Sequence, residues 1–266
     1  MDLLEVTSWR AARERRDLVL APGERVVAGG TWLFSEPQPG TTGLVDLSSL
    51  GWPPWERTEG GLRIAATCTI EQLLAIPEEG LGSAAGLVRS CADAFLMSFK
   101  IQHLATVGGN LCLALPAGAM ISLFVALDAT AVVWTAEGGE RRERVSDFVT
   151  GLRTTTLAPG EVLRAVEVPA ASLDDRYAFR RLSLAPLGRS SVVVVARRPE
   201  TDLVLTLTAA TSRPVVLDLD PADWPYELEQ ALAGVDCWYD DAHGAGDWRA
   251  GMARLLAGQC LTEVTT

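Results

Sequence analysis

Two short glycine pairs are the stretches of this sequence whose residue types could hold a polar ligand. One lies in Ala28 to Thr31 (AGGT) and the other in Thr106 to Asn110 (TVGGN). Adjacent glycines permit left-handed backbone and let a ligand approach the chain, because no Cβ stands in the way. Unshielded N–H groups beside short polar side chains suit a phosphate or the polar edge of a cofactor. Taken alone, the second stretch favours a plain tight turn in which Asn110 forms a hydrogen bond.

The elements around each pair indicate how it is positioned. A short strand, Arg25 to Ala28, leads into the first pair, and an apolar, helix-like start, Trp32 to Phe34, follows it. This order of strand, glycines and helix start is typical of a phosphate-binding turn. The spacing matches neither the dinucleotide GxGxxG motif nor a P-loop. An alanine-rich helical stretch, Ser83 to Phe95, leads towards the second pair.

The remaining pattern predicts an α+β chain of two domains. Residues 2–20 indicate a helix with a charged face, and residues 170–175 indicate a polar turn. Three strand candidates and then two helical stretches follow, at residues 177–184, 191–197, 202–208, 223–233 and 247–256. Strands followed by terminal helices suggest a separate small α+β domain. We therefore expect one domain over residues 1–169 and a second over residues 170–266.

Charge and hydropathy exclude several classes of function. The chain has 34 acidic and 23 basic residues, for a formal net charge of −11. An acidic surface repels phosphate backbones, so we expect no nucleic-acid partner. No apolar run is long enough to span a bilayer, and the first residues lack the basic start and apolar block of a signal peptide. We therefore expect a cytoplasmic protein with no membrane association.

Cysteine and histidine give no sign of a metal site. The five cysteines form no CxxC pair, and the two histidines are not spaced as a pair of ligands. We interpret the cysteines as small buried apolar residues and predict no metal. His103, close to the second glycine pair, could donate a proton or contact a ligand, but a lone histidine there is more typical of a structural hydrogen bond. No residue is identified as a general acid or base, so the catalytic set is unknown.

Taken together, the two motifs resemble the FAD-binding domain of the molybdenum hydroxylase family. That family includes xanthine dehydrogenase and the medium flavoprotein subunit of carbon monoxide dehydrogenase, and its two turns read Ala-Gly-Gly-Thr and Thr-Ile-Gly-Gly-Asn. Further segments match in the same order, among them Leu44 to Ser48, Pro116 to Ala129, Thr156 to Glu161 and Trp248 to Ala253. The resemblance covers nearly the whole chain.

The resemblance implies a fold, a cofactor and a set of contacts. The fold is a two-subdomain FAD-binding domain of the vanillyl-alcohol-oxidase (PCMH) type, followed by a small α+β C-terminal domain. The first motif would surround the diphosphate and approach the flavin, and the second would hold the other side of the dinucleotide. Leu163 would pack near the isoalloxazine, beside Arg180 in place of a family lysine. The implied cofactor contacts are Val27, Ala28, Gly29, Gly30, Thr31, Trp32, Leu33, Thr106, Gly109, Asn110, Leu163 and Arg180.

The resemblance also implies partners. The chain lacks the iron–sulfur and molybdopterin domains of the family, so separate subunits would supply them. Electrons would then pass from an iron–sulfur partner through FAD to NAD+, oxygen or another acceptor.

Several side chains depart from the family pattern. After the second motif the family reads Pro-Ala-Ser-Asp, with Ser and Asp binding the cofactor, whereas this chain has Gly118 and Ala119 at those positions. Trp32 replaces an acidic residue common after the first motif, and Gln102 and His103 replace Arg-Asn. Three hypotheses follow: a flavoprotein subunit of a molybdenum-hydroxylase-like oxidoreductase, a stand-alone flavoenzyme acting on a small molecule, or a fold reused as a binding scaffold without flavin.

Overall fold

The computed structural model describes residues 3–266. Its strands are β1 (Ser8–Ala11), β2 (Glu24–Val27), β3 (Gly43–Asp46), β4 (Trp55–Thr58), β5 (Gly61–Ala65), β6 (Thr130–Trp134), β7 (Glu140–Arg144), β8 (Val149–Gly151), β9 (Thr154–Thr155), β10 (Val162–Pro169), β11 (Arg176–Leu182), β12 (Val192–Arg198), β13 (Leu203–Thr208) and β14 (Val215–Leu219). Its α-helices are α1 (Ile70–Leu74), α2 (Glu78–Leu81), α3 (Ala85–Ala94), α4 (Phe99–Gln102), α5 (Val107–Leu113), α6 (Ala119–Ala126), α7 (Val145–Phe148), α8 (Ala170–Asp174), α9 (Trp224–Ala233) and α10 (Gly246–Thr265). Short 3-10 helices lie at Arg15–Leu18, Ser48–Leu50 and Gly82–Ala84.

A small parallel sheet forms the first layer, in the order β1-β3-β2. Val45 of β3 is fully buried and packs with Ala12, Leu18 and Leu47 in a compact apolar cluster. Both outer strands run parallel to β3, so their carboxyl ends lie at one edge of the sheet. In open parallel sheets ligands bind outside that edge, and β2 ends there, immediately before the first glycine pair.

The second layer is an antiparallel sheet in the order β4-β5-β10-β6-β7. Helices α1, α3, α5 and α6 contribute to the same large apolar core as the inward faces of these strands. All eight residues of α6 are buried, as expected for a helix that is apolar on every side. This sheet and its helices support the second glycine pair, which opens α5.

The third layer is the antiparallel sheet β11-β12-β13-β14. One of its faces forms a core with α9 and α10, while Val193, Val195 and Ala209 join the core around α6. Every residue of β13 is buried because both faces of that strand are covered. The sheet is therefore packed between α6 and the two C-terminal helices.

Most predicted elements are confirmed, and three are wrong. Residues 32–34 form a turn instead of the start of a helix. Residues 8–11 form β1 instead of part of a helix, and Arg15–Leu18 is a single 3-10 turn; Asp2 lies outside the described residues. Pairing of β1 with β3 overrides the local helical preference here. Residues 170–174 are helix α8, with Ser172 and Leu173 buried, where we expected a polar turn. The domain boundary at residue 169 stays a prediction.

A partly exposed ion pair between Arg10 of β1 and Glu24 of β2 makes stability depend on pH. Arg10 donates to both carboxylate oxygens of Glu24, at 2.9 and 2.8 Å, and the Ala21 N–H donates at 2.8 Å. These bonds, with that of Arg10 foremost, lower the pKa of Glu24 from 4.5 to about 2. A carboxylate with a lowered pKa stabilises the folded state fully above pH 4.5, and the contribution is lost as pH falls towards 2.

We expect Glu24→Gln to lower the free energy of unfolding by about 1–2 kcal/mol at pH 7, because a hydrogen-bonded ion pair is removed. Urea denaturation between pH 7 and 3 should also show a shallower loss of stability in the variant than in the wild type. Glu229→Gln is the matched control, since the Glu229–Arg254 pair is more than half exposed and should contribute little. Equal pH profiles for wild type and Glu24→Gln would contradict this prediction.

Candidate functional site

A large cleft of about 940 Å³ lies between the parallel sheet and the antiparallel sheet. This volume is at the upper end of the range for small-molecule and cofactor sites. Eleven of the twelve residues implied by the resemblance line it: Val27, Ala28, Gly29, Gly30, Thr31, Trp32, Leu33, Thr106, Gly109, Asn110 and Leu163. The two glycine motifs, far apart in sequence, therefore meet at one cavity.

The first glycine loop, residues 28–33, follows β2 and presents a row of free donors. Gly30 is left-handed, at φ +66°, and its carbonyl accepts from the Phe34 N–H at 2.9 Å, which closes a single turn. Within the described part of the chain, the backbone N–H groups of Gly29 to Leu33 have no acceptor. Consecutive unpaired N–H groups beside a left-handed glycine form a concave site for an anion.

The second glycine turn, Thr106 to Asn110, differs from the sequence-based expectation. We expected a loop with bare N–H groups, but residues 107–113 form α5, and Thr106 Oγ1 caps it by accepting from the Gly109 N–H at 3.1 Å. The Val107 and Gly108 N–H groups donate to the Cys68 and Ala66 carbonyls. The Asn110 N–H donates to the Thr106 carbonyl. The backbone donors of this turn are thus already used by the fold.

The glycines of the two motifs serve different purposes. A Cβ on Gly29 would stand 1.7 Å from the Leu104 carbonyl oxygen, and one on Gly108 would stand 2.7 Å from the Ala66 carbonyl oxygen. These two glycines are required by packing of the chain against itself. A Cβ on Gly109 would meet only Thr106 Oγ1, at 2.9 Å, and Gly109 is exposed to the cleft. Only this glycine of the second turn leaves its open face to a ligand.

Asn110 joins the cleft to the helix behind it. Its Oδ1 accepts from the Met120 N–H at 3.0 Å and so holds the first turn of α6. No described residue bonds the Asn110 side-chain NH2, which is therefore available as a donor at the cleft wall. Thr31 Oγ1 and Trp32 Nε1 likewise have no partner among residues 3–266, and the Trp32 nitrogen is buried.

Leu163 and Arg180 lie in different places. Leu163, on β10, is buried and lines the cleft, as the resemblance implies. Arg180 lies outside the lining: its guanidinium pairs with Glu263 of α10 at 2.5 Å and donates to the Phe179 carbonyl at 2.9 Å. Glu263 of α10 holds the Arg180 side chain in this structure, and the implied contact of Arg180 with the isoalloxazine stays a prediction.

His103 is also outside the cleft. Its Nδ1 lies 2.6 Å from Glu71 Oε2, on the exposed side of α4. This contact is the structural hydrogen bond that we favoured over a proton-donating role.

Sequence reasoning missed a thiol and two cations in the cleft. Cys112, on α5, lines the cleft with its side chain exposed, whereas Cys68, Cys91 and Cys260 are buried as expected. Arg153 and Arg189 also line the cleft. Both belong to loops whose place could not be read from local pattern.

Two absences hold for residues 3–266. None of the helices there combines the length and apolar character that crossing a bilayer requires. Within the same residues, no group of three or more His, Cys, Asp or Glu side chains is placed to hold a metal ion.

A cleft between two sheets that is lined by two glycine motifs, one with a row of free N–H donors, is that of a dinucleotide-binding domain. Residues 5–171 match the family described as the FAD binding domain in molybdopterin dehydrogenase. The chain belongs to this family, and FAD is the cofactor that membership gives it. The predicted family and cofactor are confirmed.

Individual relatives agree with this membership. The carbon monoxide dehydrogenase medium chain of Afipia carboxidovorans is 28% identical over 139 residues, which are 52% of this chain and 47% of that protein. The match thus spans about half the length of this curated relative. A chain of the CO dehydrogenase structure from Oligotropha carboxidovorans has a TM-score of 0.81 at 22% identity, covering 97% of both chains. A chain of quinoline 2-oxidoreductase from Pseudomonas putida 86 has a TM-score of 0.80 at 22% identity, covering 97% and 96%. These likenesses confirm the predicted fold class.

The family's serine cannot be restored at Gly118 without cost. A Cβ there would stand 2.8 Å from Ile121 Cδ1, 2.9 Å from the Leu115 carbonyl oxygen and 3.1 Å from Asn110 Oδ1. The cleft wall is therefore closely packed around Gly118.

We expect Gly118→Ser to lower the free energy of unfolding by about 1–3 kcal/mol, because overpacking forces the start of α6 to shift. Chemical denaturation followed by circular dichroism measures this effect. Gly251→Ser in α10 is the control, since a Cβ at that position meets no atom within 4 Å. A Gly118→Ser protein as stable as the wild type would show that the wall can accept the family side chain.

Proposed function

We propose that this chain is the FAD-binding flavoprotein subunit of a molybdenum-hydroxylase-like oxidoreductase, with FAD bound in the cleft. The observation that carries the proposal is the row of unpaired N–H groups from Gly29 to Leu33 at the wall of a 940 Å³ cleft. Consecutive N–H groups that face a cleft and have no acceptor within the protein are free to donate to an anion. The diphosphate of a dinucleotide supplies them.

The residues that hold the cofactor in this proposal come from both motifs and from β10. The loop from Val27 to Leu33 binds the diphosphate through its backbone. On the opposite wall, Gly109 lets the cofactor come close to the backbone. Thr106 fixes that backbone by capping α5. Asn110 supplies a side-chain donor, and Leu163 provides an apolar surface for the ring system.

Bound FAD supplies the redox chemistry, and the protein supplies position and electrostatics. The acidic groups that line the cleft are held ionised: Arg10 keeps the pKa of Glu24 low, and Arg141 keeps the pKa of Glu161 low. Neither carboxylate is therefore poised to take up a proton near pH 7.

The partners in this proposal are an iron–sulfur chain and a molybdopterin chain. The curated relative is described as the medium chain of carbon monoxide dehydrogenase, a description that itself implies companion chains. By analogy, electrons would enter the flavin from an iron–sulfur partner and leave to an acceptor.

We expect the purified chain to bind FAD, with the visible absorbance of a protein-bound flavin, and Gly109→Val to weaken that binding at least tenfold. The valine side chain would occupy the open face of Gly109 in the cleft. Isothermal titration calorimetry gives the affinities. Gly86→Val is the matched control, because Gly86 is also an exposed helical glycine with open space around it but lies outside the cleft.

A second readout locates the ligand. FAD should slow labelling of Cys112 by a mercurial, while the half-buried Cys237, outside the cleft, should react at an unchanged rate. A wild-type protein that binds no FAD in excess cofactor would end the proposal. Equal FAD affinity in Gly109→Val would remove the second turn from the site.

The assembly is tested by co-expression. The tagged chain, produced together with candidate iron–sulfur and molybdopterin chains from the same source, should co-purify with them in fixed stoichiometry. In that complex, substrate should reduce the flavin without added dithionite. This reduction should require both partner chains. An FAD-loaded chain that oxidises a small molecule alone, and never associates with such partners, would favour the stand-alone flavoenzyme instead.

A further inference from the structure

The acidic side chains that line the cleft have ion-pair partners in the described part of the chain, whereas the basic ones do not. Two carboxylates line it, and each is bound by an arginine from outside the lining: Glu24 by Arg10 at 2.8 Å and Glu161 by Arg141 at 2.7 Å. Their charge is therefore compensated within the protein. The cations of the lining, in contrast, have no carboxylate partner among residues 3–266.

Arg153 and Arg189 are the clearest of these cations. Neither guanidinium forms a hydrogen bond or an ion pair with any residue in the range 3–266. Arg25 also lines the cleft, but it reaches the Gln38 amide oxygen at 3.3 Å. In a protein of net charge −11, the uncompensated charge of this cavity is thus positive. Such a cavity attracts an anion.

The hairpin of β8 and β9 sets the position of Arg153. Its backbone N–H donates to the Ala114 carbonyl at 2.8 Å, and its φ of +54° is left-handed. Ala114 follows directly after α5, the helix that begins with the second glycine turn. The Arg153 side chain therefore starts beside the far end of the helix whose first turn carries Gly109.

Arg189 is positioned by its neighbour Arg181. The Arg181 guanidinium donates to Ser190 Oγ at 2.8 Å and to the Gly188 carbonyl, which are the residues on either side of Arg189. A turn from Ala185 to Gly188, closed at 2.8 Å, precedes them. The loop between β11 and β12 is thus anchored at its base, and Arg189 is held at the cleft.

We propose that Arg153 and Arg189 bind the diphosphate of the dinucleotide, as charged anchors that act together with the N–H groups of the first glycine loop. The inference rests on the proposed function, because it requires a dinucleotide in the cleft. Guanidinium groups match phosphate oxygens with paired, charge-assisted hydrogen bonds. Gly118 and Ala119 offer no side-chain donor on their wall. The arginines supply, from two other loops, the polar anchoring that this wall lacks.

The test compares Arg153→Gln, Arg189→Gln and the double variant with the wild type by calorimetry. The ligands are FAD, ADP, which has the diphosphate without the flavin, and riboflavin, which has the ring without phosphate. We expect each substitution to weaken FAD and ADP binding about tenfold and to leave riboflavin binding unchanged. Raising the salt concentration should weaken ADP binding to the wild type more than to the double variant.

Arg176→Gln is the matched control, because Arg176 is an exposed arginine without a described partner that lies outside the cleft. It should bind all three ligands like the wild type. Equal ADP affinity in the double variant and the wild type would overturn the inference, as would an equal loss for riboflavin.

The two proposals fail in different ways. A wild type that binds ADP through the arginines but takes up neither FAD nor riboflavin would overturn the flavoprotein function and keep the diphosphate site. A wild type that binds FAD as tightly as the double variant does would keep the function and remove the arginines from it.

Discussion

The cleft depends on the contact of one glycine backbone with the chain that leads into the second motif. Gly29 lies so close to the Leu104 carbonyl that no side chain fits between them. The next residues are fixed in turn, because Val107 and Gly108 donate to carbonyls of the segment that follows β5. This contact sets the spacing between the parallel sheet and the antiparallel sheet. The volume between the sheets is the cleft.

The division of labour between the two motifs follows from that packing. In the second motif the backbone donors are bonded within the fold, and Asn110 Oδ1 accepts a hydrogen bond from the first turn of α6. The first motif keeps its donors because the turn that Gly30 closes bonds only the Phe34 N–H, beyond the free row. The two turns are similar in sequence but differ in their backbone N–H groups. Those of the second turn are bonded within the fold, whereas those of the first are free to donate to a ligand.

Much of this arrangement could be predicted from sequence. The strand before Gly29, the capped helix at Thr69 and the family fold all follow from local pattern and motif order. The bonded state of the second turn could not, because its acceptors lie about forty residues earlier, at Ala66 and Cys68. Nor could the place of the Arg180 side chain, since it depends on Glu263 near the far end of the chain. Local reasoning found the residues that shape the cleft and missed those whose roles are decided by distant partners.

Helix α6 connects the C-terminal sheet to the cleft. The helix begins where Asn110 holds it, and its Ser122 hydroxyl lies 2.6 Å from the hydroxyl of Thr208 in β13. Its apolar surface is covered on one side by the helices beneath the cleft and on the other by β12 and β13. The helices beneath the cleft and the C-terminal sheet are both needed to bury α6. Removing the C-terminal sheet would expose the helix that supports the cleft.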